Sequence, residues 1–304
     1  MAHASAPTAP RLEHRTDAHP VLGLGTAEPR LSWTVPSADH GYRQTAYEVE
    51  VTQAGQTTVH RVVGADQVLV PWPGPTLASR EWVAVRVRVG DDGDWSDWGP
   101  CATAETGLLE TDEWSARFIS PAVLGGRQMP APVLSGTIEI PAAVRQARLY
   151  ATAHGIYVAT LNGRLVGDQV LAPGWTSYRE RLRYQTYDVT EQIVPGENRL
   201  EFLLGNGWFR GRFGWGRGMP YGDRLALLAQ LEVTLTDGRV LMLGTDQTWT
   251  AREGDVLADD LYDGQRTDRR RSVAGWGHNS SPVEVLAENP VSYTHLTLPT
   301  KLEV

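Results

Sequence analysis

Cysteine and lysine are the two residue types that this 304-residue chain almost lacks. Its one cysteine, Cys101, excludes an internal disulfide framework and any zinc site built from several thiolates. The chain also lacks a run of about 18 apolar residues that could span a bilayer, and no apolar segment follows a basic start as in a signal peptide. These absences predict a soluble, cytoplasmic protein without a membrane partner.

An excess of basic charge is absent as well, since the formal net charge is −8 at pH 7. A nucleic-acid-binding protein would normally carry a basic face, so nucleic acid is excluded as a partner. Gly and Pro are abundant instead, at 31 and 19 residues, which indicates many turns and short strands. The 11 Trp and 10 Tyr argue against disorder, and the length is that of about two domains.

The single lysine, Lys301, lies in a C-terminal segment, residues 291–304, whose composition differs from that of the rest. The segment, VSYTHLTLPTKLEV, contains no Ala, Gly or Arg, whereas 27 Arg precede it. It resembles the translated read-through of a sequencing adapter and is predicted to be a non-native tail. We expect the native protein to continue beyond Pro290. Residues 1–20, rich in Ala, Pro and His without periodicity, are predicted to be a flexible leader.

Residues 21–110 are predicted to form the first domain, a β-sandwich. From Trp82 to Val89, valine alternates with Ala or Arg, which is the two-residue period of a half-buried strand. A second alternating strand runs from Ala46 to Thr52, and no helical period appears.

This domain resembles a fibronectin-III or immunoglobulin-like sandwich, with Trp33 in an early strand and a WSDWG run at residues 95–99. The run is close to a WSxWS box. In such a box the guanidinium planes of Arg86 and Arg88 would stack between the indoles of Trp95 and Trp98, at about 0.5–2 kcal/mol for each contact. The competing interpretation is an aromatic platform that binds carbohydrate.

Residues 111–290 are predicted to form the second, larger domain, an antiparallel jelly-roll sandwich. Strands and turns follow each other without the alternation of strand and helix that a parallel sheet needs. Asn162-Gly163 and Asp237-Gly238 are each predicted to form a type I′ hairpin turn. The fold class is therefore all-β throughout.

The Gly-rich segment 205–211 (GNGWFRG) starts the strongest candidate site, a sugar site. Indoles stack on pyranose rings, Arg and Asn bind vicinal hydroxyls, and glycines let the backbone approach closely. The competing interpretation is that these aromatic side chains fill the core or cover an end of the sandwich. The candidate sugar-binding residues are Asn206, Trp208, Arg210, Trp215 and Trp175.

Acidic residues offer no catalytic pair. The segment 259–263 places hard oxygens before Gly264, but it lacks the spacing and the terminal Glu of a calcium loop. It is predicted to be a surface loop in salt bridges with Arg266 and with Arg269 to Arg271. No cofactor and no metal site is therefore predicted, although calcium at a sugar site stays open.

An ordered series of segments resembles the N-terminal half of bacterial α-L-rhamnosidases of glycoside hydrolase family 78. The series comprises residues 147–157, LNGRLVGD at 161–168, LAPGWTSY at 171–178, YQTYDVT at 184–190 and GWFRG at 207–211. The resemblance departs at Gln265 and Thr267, where relatives carry Glu and an aromatic residue. It implies a fibronectin-like domain followed by a jelly-roll domain that helps to recognise substrate.

The same resemblance implies inverting hydrolysis of terminal α-L-rhamnosides by two carboxylates about 6.5–9.5 Å apart. In the family these carboxylates belong to a downstream (α/α)6 barrel, so no catalytic residue is expected in this chain. The expected partners are rhamnose-containing glycosides and the chain's own downstream barrel, and the oligomeric state is left open. The alternatives are a stand-alone L-rhamnose-binding module and a pair of spacer domains that bind no sugar.

Overall fold

The computed structural model describes residues 3–15, 20–91, 94–126, 129–212, 214, 218, 221–272, 280–286 and 292–293. Nearly all of its regular structure is β-strand, which confirms the predicted all-β class. The chain divides into two compact units, the first extending to Leu109 and the second beginning at Glu110. No helix among these described residues is long and apolar enough to cross a membrane.

Unit one contains eight strands of two to ten residues in its described part. Its main sheet has the order β2-β8-β6-β4-β5, with β7 beside β6, while β1 pairs with β3. The strands are β1 (Arg11–Leu12), β2 (Val21–Leu24), β3 (Leu31–Ser32), β4 (Ala46–Gln53), β5 (Gln56–Val63), β6 (Trp82–Asp91), β7 (Asp94–Trp95) and β8 (Ala102–Thr106).

The valine alternation of β6 builds the core of unit one. Val85 and Val87 are buried and lie opposite Val51 and Val49 of β4. The residues between them place Glu50 against Arg86 on the opposite face, and Glu48 lies against Arg88 in the same way. One face of the sheet is therefore apolar, and the other carries paired charges.

The predicted stacking of arginine on tryptophan is confirmed. The Arg88 guanidinium lies 5.2 Å from the ring centre of Trp95 and 4.7 Å from that of Trp98. Arg86 lies over the Trp98 ring at 5.0 Å, and Arg61 of β5 lies over the Trp95 ring at 5.0 Å. The WSDWG run thus joins β5 and β6 through a ladder of five side chains.

The predicted flexible leader is wrong for the residues that the structure describes there. Leu12 is fully buried in the core of unit one, and β1 pairs with β3 from Arg11 to Leu12. Glu13 is 6% exposed and accepts hydrogen bonds from the backbone and side chain of Arg30. The segment lacks periodicity because only two of its residues join a strand.

Unit two contains fifteen strands in its described residues. They are β9 (Ile119–Pro121), β10 (Pro132–Ile140), β11 (Val144–His154), β12 (Ile156–Leu161), β13 (Arg164–Leu165), β14 (Arg181–Leu182), β15 (Gln185–Asp188), β16 (Gly196–Gly205), β17 (Ala226–Leu235), β18 (Val240–Gly244), β19 (Thr250–Glu253), β20 (Val256–Asp260), β21 (Gly264–Thr267), β22 (Ser281–Val285) and β23 (Ser292–Tyr293). One four-residue α-helix, α1 (Gly207–Arg210), and short 3-10 helices at Thr111–Glu113, Thr190–Gln192 and Arg269–Ser272 accompany them.

Eleven of these strands form the predicted jelly-roll sandwich, while β14 pairs with β23 and β20 with β21 outside its two sheets. One sheet has the order β13-β12-β16-β10-β19, and the other contains β9, β17, β11 and β15 with β18 beside β17. Strand β22 pairs with β19 of the first sheet and with β9 of the second, so it connects the two. Leu149 and Ala151 of β11 share a fully buried core with Phe202 and Leu204 of β16.

The two predicted hairpin turns differ from each other. Asn162 and Gly163 both have positive φ, 53° and 75°, as a type I′ turn requires. The prediction for Asp237-Gly238 is wrong, because only Gly238 has positive φ, 89°. Its N–H donates to the carbonyl of Leu235, so the tight turn lies one residue earlier.

The sheet around β11 is buried on both faces. Tyr150 and Thr152 point away from the core between the sheets, and neither has exposed surface. Trp114 and Tyr184 cover Tyr150, and their two rings meet edge to face at 5.4 Å. This outer layer of aromatic side chains continues into the candidate site.

Candidate functional site

The candidate site is built where β16 ends and the segment GNGWFRG begins. The chain turns directly into α1, with Gly207 at φ 49°. A Cβ at Gly211 would lie 2.3 Å from the carbonyl oxygen of Gly207, so the segment leaves the helix in a space that only glycine fits.

Asn206 and Arg210 form a buried network that holds this segment. Arg210 Nε donates to Asn206 Oδ1 at 2.5 Å, and its Nη1 donates to the carbonyl oxygens of Gly125 at 2.5 Å and Asp223 at 3.2 Å. Asn206 donates from its backbone N to Asp259 Oδ1 at 2.5 Å and from Nδ2 to the Asp259 carbonyl at 2.7 Å. Burial raises the pKa of Asp259, while the bond from Asn206 and the charge of Arg210 oppose that rise.

A stack of three rings connects α1 to the sheet, and Phe209 of α1 is the first of them. Phe209 lies parallel to His154 at 4.7 Å, and His154 lies parallel to Phe118 at 4.8 Å. Burial between these rings lowers the pKa of His154 to about 4, so the imidazole is neutral at pH 7.

An aromatic platform, here defined as Trp175, Tyr178 and Tyr221, lies next to this stack. The ring of Tyr178 lies 5.2 Å from Phe209 and 4.9 Å from Tyr221. Trp175 is 45% exposed and donates from Nε1 to the hydroxyl of Tyr221 at 3.2 Å. One indole is therefore oriented by a hydrogen bond while much of its surface faces solvent.

The structure separates the predicted sugar-binding residues by exposure. Trp208 is half-buried and Trp175 is exposed, whereas Asn206 and Arg210 are 7% and 3% exposed. The polar groups of Asn206 and Arg210 bind protein atoms, so these two residues position the segment. Trp215 lies outside the described residues.

Sequence reasoning missed three members of the site, Tyr221, His154 and Phe118. Tyr221 precedes Gly222, at which a Cβ would lie 2.6 Å from the Phe209 ring. That aromatic-glycine pair in the Gly-rich loop is the signal that could have found Tyr221. No local pattern marks His154 and Phe118, because His154 lies in β11 and Phe118 directly precedes β9, so their stacking joins segments far apart in the sequence.

The acidic segment 259–263 has other partners than predicted. Asp260 accepts backbone N–H bonds from Arg212 at 2.7 Å and Tyr262 at 2.8 Å, and Asp263 pairs with Arg212 at 3.1 Å. Of the predicted partners, Arg270 pairs with Asp268 and Arg271 with Glu253. No group of three or more metal-ligating side chains occurs in the part of the chain that the structure describes.

A cavity of about 200 Å³ opens beside the buried network. Arg210, Asp223, Arg224 and Leu225 line it together with residues 120–126. Pockets that enclose whole ligands are usually larger, about 300–1,000 Å³. The exposed surface around Trp175 is therefore the better candidate for a sugar chain.

Comparisons with known protein families match both units. The model of the "Alpha-L-rhamnosidase N-terminal domain" matches residues 142–297, and that of the "Rha78A-like, N-terminal immunoglobulin domain" matches residues 7–110.

Individual proteins similar to this chain are also α-L-rhamnosidases. An α-L-rhamnosidase of Formosa agariphila is 32% identical over 85% of this chain and 30% of its own length, and one of Streptomyces avermitilis is 28% identical over 84% of this chain and 42% of its own. The crystal structure of the Aspergillus terreus α-L-rhamnosidase superposes with a TM-score of 0.85 at 34% identity, covering 95% of this chain and 35% of that one. The Streptomyces avermitilis enzyme in complex with L-rhamnose superposes with a TM-score of 0.83 at 26% identity, covering 96% of this chain and 46% of that one.

This chain spans less than half the length of each of these relatives. The similarity extends through the immunoglobulin-like unit and the jelly-roll unit, and the rhamnosidase family model covers residues 142–297, which is half of the chain. The chain therefore belongs to the α-L-rhamnosidase N-terminal domain family.

Proposed function

We propose that this chain is the N-terminal part of an α-L-rhamnosidase that releases terminal α-L-rhamnosyl residues from rhamnose-containing glycosides with inversion. The observation that carries the proposal is the match of both units, in order, to rhamnosidase N-terminal domains. The two hydrolytic carboxylates belong to a catalytic barrel outside this chain. The chain alone is then inactive as a hydrolase.

A hydrolysis assay tests this proposal. The purified chain is expected to release no rhamnose from an aryl α-L-rhamnoside above a blank without protein. Addition of an active rhamnosidase to the same tube controls for inhibition by the preparation. Turnover by the chain alone would contradict the assignment of catalysis to a later domain.

The second candidate function is L-rhamnose binding by unit two, which the aromatic platform favours. The hydrogen bond from Trp175 to Tyr221 orients an exposed indole, and indoles bind the apolar face of a pyranose. In this proposal Trp175 and Trp208 contact the sugar, and Trp215 adds a third indole. Asn206 and Arg210 hold the loop, and no calcium ion is needed.

Titration with L-rhamnose tests this second candidate. Saturable binding that is lost in Trp175→Ala and in Trp208→Ala, with the fold intact, supports it. Trp82→Ala is the matched control, because Trp82 is 41% exposed but lies in unit one. Absence of binding in the wild-type chain favours the third candidate, in which both units only support the downstream barrel.

A cytoplasmic location stays a prediction of the sequence, and fractionation of the source cells tests it.

A further inference from the structure

Strand β5 is the edge of the main sheet among the described residues of unit one. It runs for eight residues, Gln56–Val63, and pairs with β4 on one side without an irregularity in register. No other described strand pairs with it. Two of its side chains, Val59 and Val63, are 52% and 84% exposed.

The register shows which backbone groups of β5 face away from the sheet. The N–H of Gly64 donates to the carbonyl of Thr45, which makes Val62, His60 and Thr58 the residues bonded to β4. Thr57, Val59, Arg61 and Val63 alternate with them and point their N–H and C=O groups outward. None of these outward groups bonds to another described residue.

This edge lacks the features that normally prevent pairing between molecules. Proteins protect long edges with Pro, Lys, bulges or inward charges, and β5 (QTTVHRVV) has no Pro, no Lys and no bulge. Its one permanent charge, Arg61, has its guanidinium over the Trp95 ring at 5.0 Å. The edge is therefore regular in register, rich in β-branched residues and without a second partner among the described strands.

We propose that β5 pairs in antiparallel fashion with β5 of a second copy of this chain, about a two-fold axis at His60. The outward groups of Thr57, Val59, Arg61 and Val63 then all find partners. This register places Val59 opposite Arg61 of the other copy and Thr57 opposite Val63, so the permanent charge, Arg61, does not face its own like, and the two His60 side chains meet at the axis. Glu50 lies next to Val59 within its own sheet, one strand away from the incoming Arg61. This complementarity favours a second copy over an unrelated peptide.

Sedimentation of the full chain over a concentration series tests the proposal. The expected result is a monomer–dimer equilibrium, with slowed amide exchange at Val59 and Arg61 in the dimer. Val59→Pro removes one outward N–H and none of the bonds to β4, so it is expected to give a folded monomer. A wild-type chain that stays monomeric at every concentration overturns the proposal, as does a dimer that Val59→Pro leaves unchanged.

A charge-reversal pair tests the register. Val59→Lys would face Arg61 of the partner, whereas Val59→Glu would face it with opposite charge. We expect the dimer of Val59→Lys to dissociate at least about tenfold more readily than that of Val59→Glu. Within one chain Val59→Lys is expected to be the more stable of the two variants, because residue 59 lies beside Glu50. Loss of folding would therefore weaken Val59→Glu more than Val59→Lys, so it cannot imitate the predicted result. Equal dissociation of the two variants would overturn the proposed register.

Discussion

Replacement of Arg210 by methionine is expected to destabilise unit two, because Arg210 anchors the candidate site from inside the protein. The guanidinium is 3% exposed and donates to Asn206 Oδ1 and to the carbonyl oxygens of Gly125 and Asp223. The bonds to Asn206 Oδ1 and to the Gly125 carbonyl oxygen are buried. In Arg210→Met these two acceptor oxygens lose their donor, and no water molecule replaces it. Methionine would fill much of the space and donate nothing.

The magnitude follows from these two buried acceptors. An unsatisfied buried acceptor costs about 1–3 kcal/mol, so two of them give an expected loss in the free energy of unfolding of about 2–6 kcal/mol. Arg212→Met is the matched control, since Arg212 is 44% exposed and pairs with Asp263, which is 61% exposed. An exposed pair of this kind contributes about 0–1 kcal/mol.

Hydrogen exchange of the full chain at increasing urea concentrations measures both variants within unit two. Peptides from β16 and β17 report the unfolding of unit two, and those from β4 and β6 report unit one as an internal reference. The expected loss is confined to unit two and is larger for Arg210→Met. If Arg210→Met and Arg212→Met lose the same stability, the anchoring role of Arg210 is refuted.

Three further predictions concern single contacts. The pKa of His154 is lowered from 6.5 in the unfolded chain to about 4 in the folded one. As the pH falls from 6.5 towards 4, the imidazole is therefore protonated in the unfolded chain but not in the folded one, and unit two loses stability. The loss is about 3 kcal/mol, and urea midpoints at several pH values should show it in the wild type but not in His154→Phe. Gly136→Ala would place a Cβ 2.5 Å from Cε2 of the buried Trp249, and calorimetry should detect the cost of about 1–3 kcal/mol that overpacking carries. Arg88→Lys should destabilise unit one in urea by about 1–2 kcal/mol and more than Arg86→Lys, because Arg88 stacks on two indoles and Arg86 on one; equal effects would contradict the ladder.

The elements that the sequence predicted well carry local signals. Strand β12 has the predicted bounds, Ile156–Leu161, because Gly155 and the Asn162-Gly163 turn delimit an alternating run. Stacking of Arg88 between Trp95 and Trp98 could be predicted because a hairpin brings these residues together. Each of these features depends on neighbours within a few residues or one strand away.

The features that sequence reasoning missed depend on distant segments. Leu12 is buried because β1 pairs with β3, and nothing within residues 1–20 announces that partner. Arg210 was predicted to bind a sugar because its actual acceptor, the carbonyl oxygen of Gly125, lies 85 residues away in the sequence. Asp263 pairs with Arg212 across the fold, although several arginines are closer in sequence.

Sequencing the source DNA through codon 290 and beyond tests the central claim most directly. We expect an open reading frame of several hundred further codons whose product includes helical repeats and two carboxylates able to hydrolyse an α-L-rhamnoside. A stop codon shortly after Pro290 in the native gene would contradict it, and unit two would then be a binding module in its own right.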